Sequence, residues 1–184
     1  TYICHNITLE TVSILPTPVR SVFLNKSQIS GELITNKLSK FSFLFSLCMN
    51  TIRLSSLPSQ IFKNNTNLQF LDLCDNGIEI IETQAFHGLH FLIYLLLNNN
   101  FIKFITEKTF NSLVSLEMLQ LSGNSLSVIG SNLFMSLKHL KWLDLACNNV
   151  TKLEKSVFDN FIHLQLLNLS ENKLTTIEPD LFAS

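Results

Sequence analysis

The sequence predicts an α/β repeat: a right-handed solenoid bent into a horseshoe, with a parallel β-sheet on its concave face and an irregular or short-helical convex side. Three observations predict it. Asn76, Asn100, Asn124, Asn148 and Asn172 recur every 24 residues. Phe62, Phe86, Phe110, Phe134, Phe158 and Phe182 keep the same step. Leu68, Leu92, Leu116, Leu140 and Leu164 each open a unit reading L-x-x-L-x-L-x-x-N-x-[L/I/V]-x-x-[L/I]-x-x-x-x-F. Self-similarity at such a period marks units that bury their apolar faces only by stacking on one another.

Each part of the unit has a physical task. In "LQFLDLCDN" (68–76), Leu71 and Leu73 are two apart, so both point to one side of a short strand and the residues between them to the other. Such a strand has no partner in its own unit and must pair with the same strand of the next coil, about 4.8 Å away. The Asn sits where the chain turns inward, and its short amide can satisfy backbone groups of the turn and of adjacent coils. The Phe fills the far side of the coil, each buried ring contributing roughly 1.5–3 kcal/mol. The N-terminal third is degenerate. Leu44, Leu47, Met49, Leu54, Leu57 and Phe62 keep the frame, but Ile52 takes the Asn place. One unit earlier Val22, Leu24 and Ile29 fit, with Ser27 in the Asn place, and the spacing implies a one-residue insertion near Gly31–Leu38.

Composition narrows the function. A mean hydropathy of +0.28 is high for a chain with 15% charged residues. The longest apolar run, Phe91–Leu97, falls far short of the roughly 18 residues a spanning helix needs, so the excess belongs to a core and this segment inserts into no membrane. A net charge of −1 with scattered Lys and Arg gives no basic field, and no nucleic-acid partner is expected. The chain lacks an initiator Met and a signal segment and stops in mid-pattern, which reads as a mature or excised fragment.

Strand positions between the ladder leucines should line the concave face. One column reads Ser46, Phe70, Tyr94, Met118, Trp142, Leu166, and the next Cys48, Asp72, Leu96, Gln120, Asp144, Asn168. Large apolar groups on an exposed strip mark interaction surfaces, although such residues can also serve merely to cover a sheet. The expected ligand-binding residues are Phe70, Asp72, Tyr94, Leu96, Met118, Gln120, Trp142 and Asp144, and a protein or peptide suits so extended a surface.

No catalytic constellation, cofactor motif or metal site is found. The histidines are His5, His87, His90, His139 and His163. His139 and His163 share a repeat position, so they should lie one coil apart on the rim, where two solvated imidazoles are the expectation rather than a metal or acid-sensitive site. Cys48, Cys74 and Cys147 fall on expected strands. Cys48 and Cys74 are offset by two residues along adjacent coils, which puts them beyond disulfide reach, so these three read as free thiols. Free thiols argue against an oxidising compartment. Sequons at Asn6, Asn25, Asn64, Asn149 and Asn168 argue the other way, though five is a mild excess over the roughly three that composition gives by chance. Glycans on Asn25 and Asn168 would fence the two ends of the concave face and leave its middle open.

These units resemble the leucine-rich-repeat family, in the 24-residue class common in animal extracellular proteins such as Toll-like and other repeat-bearing receptor ectodomains. The resemblance covers Leu44–Ser184, and "LEMLQLSGNSLSVIGSNLFMSL" (116–137) and "LKWLDLACNNVTKLEKSVFDNF" (140–161) fit almost without deviation. Upstream, "LETVSILPTPVRSVFL" resembles the Pro-containing end of an N-terminal cap, with Cys4 as its surviving cysteine. The resemblance divides the chain into a cap remnant (1–19), an irregular first repeat (20–43) and six repeats of 24 residues, the last incomplete (44–184). It implies a non-catalytic, extracellular or cell-surface ligand-recognition module, with receptor dimerisation left open. The alternatives are a secreted matrix or adhesion protein and an intracellular scaffold.

Overall fold

The computed structural model describes residues 2–5, 19–25, 37–177 and 181. Among these the strands are β1 (Tyr2–His5), β2 (Ser21–Asn25), β3 (Ser46–Cys48), β4 (Ser56–Leu57), β5 (Phe70–Asp72), β6 (Ile80–Ile81), β7 (Tyr94–Leu96), β8 (Met118–Gln120), β9 (Val128–Ile129), β10 (Trp142–Asp144), β11 (Lys152–Leu153) and β12 (Leu166–Asn168). Eight form one parallel sheet in the order β1-β2-β3-β5-β7-β8-β10-β12. Short strands in sequence order, each pairing with its counterpart in the next coil, make a solenoid, as the repeat demands.

The register is the sequence period made physical. Ser46 pairs with Phe70, Phe70 with Tyr94, Tyr94 with Met118, Met118 with Trp142 and Trp142 with Leu166. Between β2 and β3 the step is one longer, since Ser21 pairs with Ser46. The one-residue insertion is therefore real, although most of the stretch assigned to it (31–38) lies outside the described residues. So do Ser27, Ile29, Asn6, Phe182 and most of the expected cap; of that cap, β1 extends the sheet by pairing with β2.

The ladder leucines Leu71, Leu95, Leu119 and Leu143 are fully buried. Behind them the phenylalanines stack: Phe62 on Phe86 at 6.4 Å, Phe86 on Phe110 at 6.0 Å and Phe110 on Phe134 at 6.4 Å between centroids. The column then shifts. Phe134 meets Phe161 at 5.6 Å, and Phe161 in turn meets Phe158 at 5.9 Å. Phe161 occupies the position held by Leu89, Leu113 and Leu137 in earlier coils, and its larger ring reaches into the phenylalanine column.

The asparagines act as expected, and every one joins two coils. Asn100 accepts from the Ile78 N–H at 3.1 Å and donates to the Leu73 and Leu97 carbonyls, each at 3.0 Å. Asn148 does the same with Leu126, Leu121 and Leu145. Just before each Asn, and before Ile52 in the Asn place, the chain passes through the left-handed region, at Thr51 (φ 57°), Asp75 (54°), Asn99 (54°), Gly123 (67°), Cys147 (51°) and Glu171 (53°). This twist aims the residue's own N–H at the next coil: Asp75 donates to Asn98 O at 3.0 Å, Gly123 to Ala146 O at 3.0 Å and Cys147 to Ser170 O at 3.0 Å.

The convex side is irregular, within the expectation of an irregular or short-helical side: six-residue turns (59–64, 83–88, 107–112, 131–136 and 155–160) alternate with two short parallel pairs, β4 with β6 and β9 with β11, and only Lys37 and Leu38 are helical among the described residues. One expectation needs correction. Cys74 and Cys147 lie just beyond β5 and β10 rather than on strands, because the ladder ends at Asp72 and Asp144 where the left-handed turn begins.

Candidate functional site

The sheet brings Phe70, Tyr94, Met118, Trp142 and Leu166 into one line across five strands. Alternation along each strand directs them away from the buried leucines. Tyr94, Trp142 and Leu166 remain 39%, 38% and 37% exposed, whereas Leu95 and Leu143 beside the first two are fully buried and Leu167 beside the third is half-buried. Phe70 and Tyr94 rings meet at 6.2 Å with a 48° tilt.

Around the C-terminal half of this line lies a hollow of about 370 Å³, lined by Tyr94, Glu117, Met118, Lys141, Trp142, Gln165 and Leu166. Glu117, Lys141 and Gln165 were not anticipated. They precede the strands, one position before Met118, Trp142 and Leu166, and stack at the same 24-residue step. Lys141 Nζ lies 2.9 Å from Glu117 Oε2, with both side chains well exposed. Opposite charges one period apart were the legible signal. In water such a pair contributes no more than about 1 kcal/mol, so it shapes the wall rather than holding the fold.

The second predicted column is mostly occupied with its own coil. Asp72 Oδ1 accepts from the Cys74 N–H at 2.9 Å and Oδ2 from Asn50 Nδ2 at 3.2 Å. Asp144 Oδ1 accepts from the Ala146 N–H at 3.0 Å, and Asn168 Oδ1 from the Ser170 N–H at 3.2 Å. These side chains cap the strand ends. Gln120 Oε1 accepts from Asn98 Nδ2 at 3.0 Å, and Leu96 is half-buried. Cys48, expected to face outward in this column, is buried between Phe23 and Asp72 on the flanking strands, whose larger side chains shade it.

His139 and His163 stack at 6.0 Å and 8°, both exposed, one coil apart on the rim. No group of three or more His, Cys, Asp or Glu suited to a metal occurs among the described residues. Cys48, Cys74 and Cys147 are free thiols. Of the sequon asparagines, Asn64 is exposed, Asn149 and Asn168 are half-buried, and Asn25 ends β2. No helix among the described residues is long and apolar enough to cross a membrane.

A family model described as leucine rich repeat matches residues 46–100, 92–146 and 138–184. Comparison with curated proteins finds no match. Among solved structures the chain is similar to one titled "Crystal structure of TLR13-ssRNA13 complex", with a TM-score of 0.73 and 22% identity over 97% of this chain and 32% of that one. It is also similar to a chain in the octameric complex of Latrophilin 3, Unc5D and FLRT2 (LRR), with a TM-score of 0.81 and 24% identity over 92% of this chain and 51% of that one. The chain thus spans about a third of the first and about half of the second, and at these identities the likeness concerns the fold. One neighbour was solved with RNA, so the expectation that nucleic acid is excluded is not borne out. The matched repeats, the 24-residue register and the asparagine and phenylalanine columns agree, and the chain belongs to the leucine-rich-repeat family.

Proposed function

We propose that this chain is a non-catalytic binding module whose concave sheet takes a protein or peptide ligand, as the ligand-recognition part of an extracellular or cell-surface receptor. The observation that carries the reading is the line of half-exposed Tyr94, Met118, Trp142 and Leu166 around an open hollow. Tyr and Trp give large contact area at low entropic cost and are the usual anchors of protein interfaces. The hollow is shallow and crosses several strands, a shape that favours an extended polypeptide over a small molecule held in a deep pocket.

The leucine-rich-repeat family is generally non-catalytic, which supports the absence of a reaction. The exterior placement of Asn64 and the partial exposure of Asn149 and Asn168 support an extracellular chain. A glycan on Asn168, in register with Asp144, would bound the groove beyond Leu166, and one on Asn25 would bound its other end. Mass-spectrometric mapping of secreted protein tests that boundary, and unoccupied Asn25 and Asn168 remove it.

The binding reading is tested by immobilising the chain and screening extracellular proteins for capture, with Tyr94→Ala/Trp142→Ala alongside. Loss of capture with unchanged melting supports the reading. Capture that survives the double substitution makes the aromatic line mere cover for the sheet.

A further inference from the structure

The charges of the groove select the partner's chemistry. Glu117 and Lys141 neutralise each other across the wall. Asp72 has both carboxylate oxygens engaged by Cys74 and Asn50. Asp144 differs: Oδ1 caps its own turn at Ala146, while Oδ2 has no hydrogen-bond or ion-pair partner among the described residues. Trp142 stands two residues earlier on the same strand and face, about 6.6 Å away along the chain, with its indole part-exposed. An aromatic face beside an uncompensated carboxylate is a cation site: the ring quadrupole attracts the charge and the carboxylate accepts its N–H groups. Exposed Lys138, earlier on the same coil, repels a cation from that margin, whereas Asp144 attracts it.

We propose that Trp142 and Asp144 together bind an arginine side chain presented by the partner polypeptide, with flanking apolar residues seated on Tyr94, Met118 and Leu166. The inference rests on the concave-face reading above and adds the identity of the anchoring group. Arginine fits better than lysine, because a planar guanidinium lies flat on an indole while keeping donors free for Asp144 Oδ2.

Trp142 is the single tryptophan of the chain, so its fluorescence reports this site alone. The probes are three acetylated and amidated peptides, Gly-Leu-X-Leu-Gly, in which X is Arg, Glu or Leu. The Arg peptide should perturb Trp142 at the lowest concentration and more weakly as salt rises. Asp144→Asn, which keeps the Oδ1 cap to Ala146, should weaken it about tenfold or more while leaving the Leu peptide unaffected. If the Glu or Leu peptide binds as well as the Arg peptide, or Asp144→Asn changes nothing, the arginine assignment is wrong and the concave-face reading survives. If no peptide perturbs Trp142, both fall.

Discussion

Asn124 donates to the Leu97 carbonyl at 3.0 Å, 27 residues back, while its Oδ1 accepts from the Ile102 N–H at 3.1 Å. One buried amide thus completes the backbone pairing of two coils, since it also donates to Leu121 O at 3.0 Å in its own turn. Asn124→Ala leaves an N–H and two carbonyls without this partner in an apolar interior. At about 1–3 kcal/mol for a buried group left unsatisfied, with partial relaxation, a loss of about 3 kcal/mol is expected. Urea unfolding of the variant measures it. Asn124→Asp retains the acceptor but not the donors and should be at least as damaging at neutral pH.

The left-handed column predicts opposite outcomes at equivalent positions. Gly123 has φ 67°, and a Cβ there would overlap Asn99 Oδ1, itself held by Asn99 Nδ2 donating to Asp75 Oδ1 at 2.9 Å. Gly123→Ala should therefore cost about 2 kcal/mol or more. Cys147 adopts φ 51° in an exposed position, where glycine would relieve strain of about 1–2 kcal/mol at some cost in unfolded-state entropy. Cys147→Gly should stabilise by about 0.5 kcal/mol. Thermal melts of the two variants should move in opposite directions.

Most of the fold was legible in the sequence, because stacking converts a 24-residue period directly into strand register. The period alone sets Phe70, Tyr94, Met118 and Trp142 in line, and His139 beside His163. Three features were not legible. Phe161 reads as one more apolar residue, and only its ring size in a leucine position diverts the phenylalanine column. Asp72 and Asp144 read as flanking charges, whereas their oxygens are drawn to the turn N–H groups two residues on, which depends on where the strand stops. Lys141 and Glu117 precede the strands, so counting strand positions alone passed over them, although their charges stood one period apart.

Phe110 lies between Phe86 and Phe134 with rings on both sides and no exposure. Phe110→Ala opens a cavity in the middle of the stack and should cost about 3–5 kcal/mol. Phe161→Leu restores the residue type of Leu89, Leu113 and Leu137 but removes the ring contacts with Phe134 and Phe158, so about 1 kcal/mol is expected. Denaturant midpoints compared at equal slope test both.

The thiols predict a pH dependence. Burial, reinforced by the Asp72 carboxylate, pushes the Cys48 and Cys74 thiols up to about 12. In the unfolded chain they ionise near the ordinary value of about 8.5. The native state therefore binds more protons above that value. The stability these groups contribute is full below it and falls as pH rises toward about 12. At pH 8 a thiol reagent should modify exposed Cys147 in the folded protein and reach Cys48 and Cys74 only after unfolding, as peptide mapping would resolve.

Quenching of Trp142 by acrylamide tests the central claim most directly, because the single tryptophan lies in the middle of the concave groove. Free protein should be quenched readily, in keeping with the 38% exposure of Trp142, and saturation with a captured partner should cut the quenching constant several-fold. A partner that binds fully while Trp142 stays as accessible as before would contradict the claim and place the binding surface elsewhere on the solenoid.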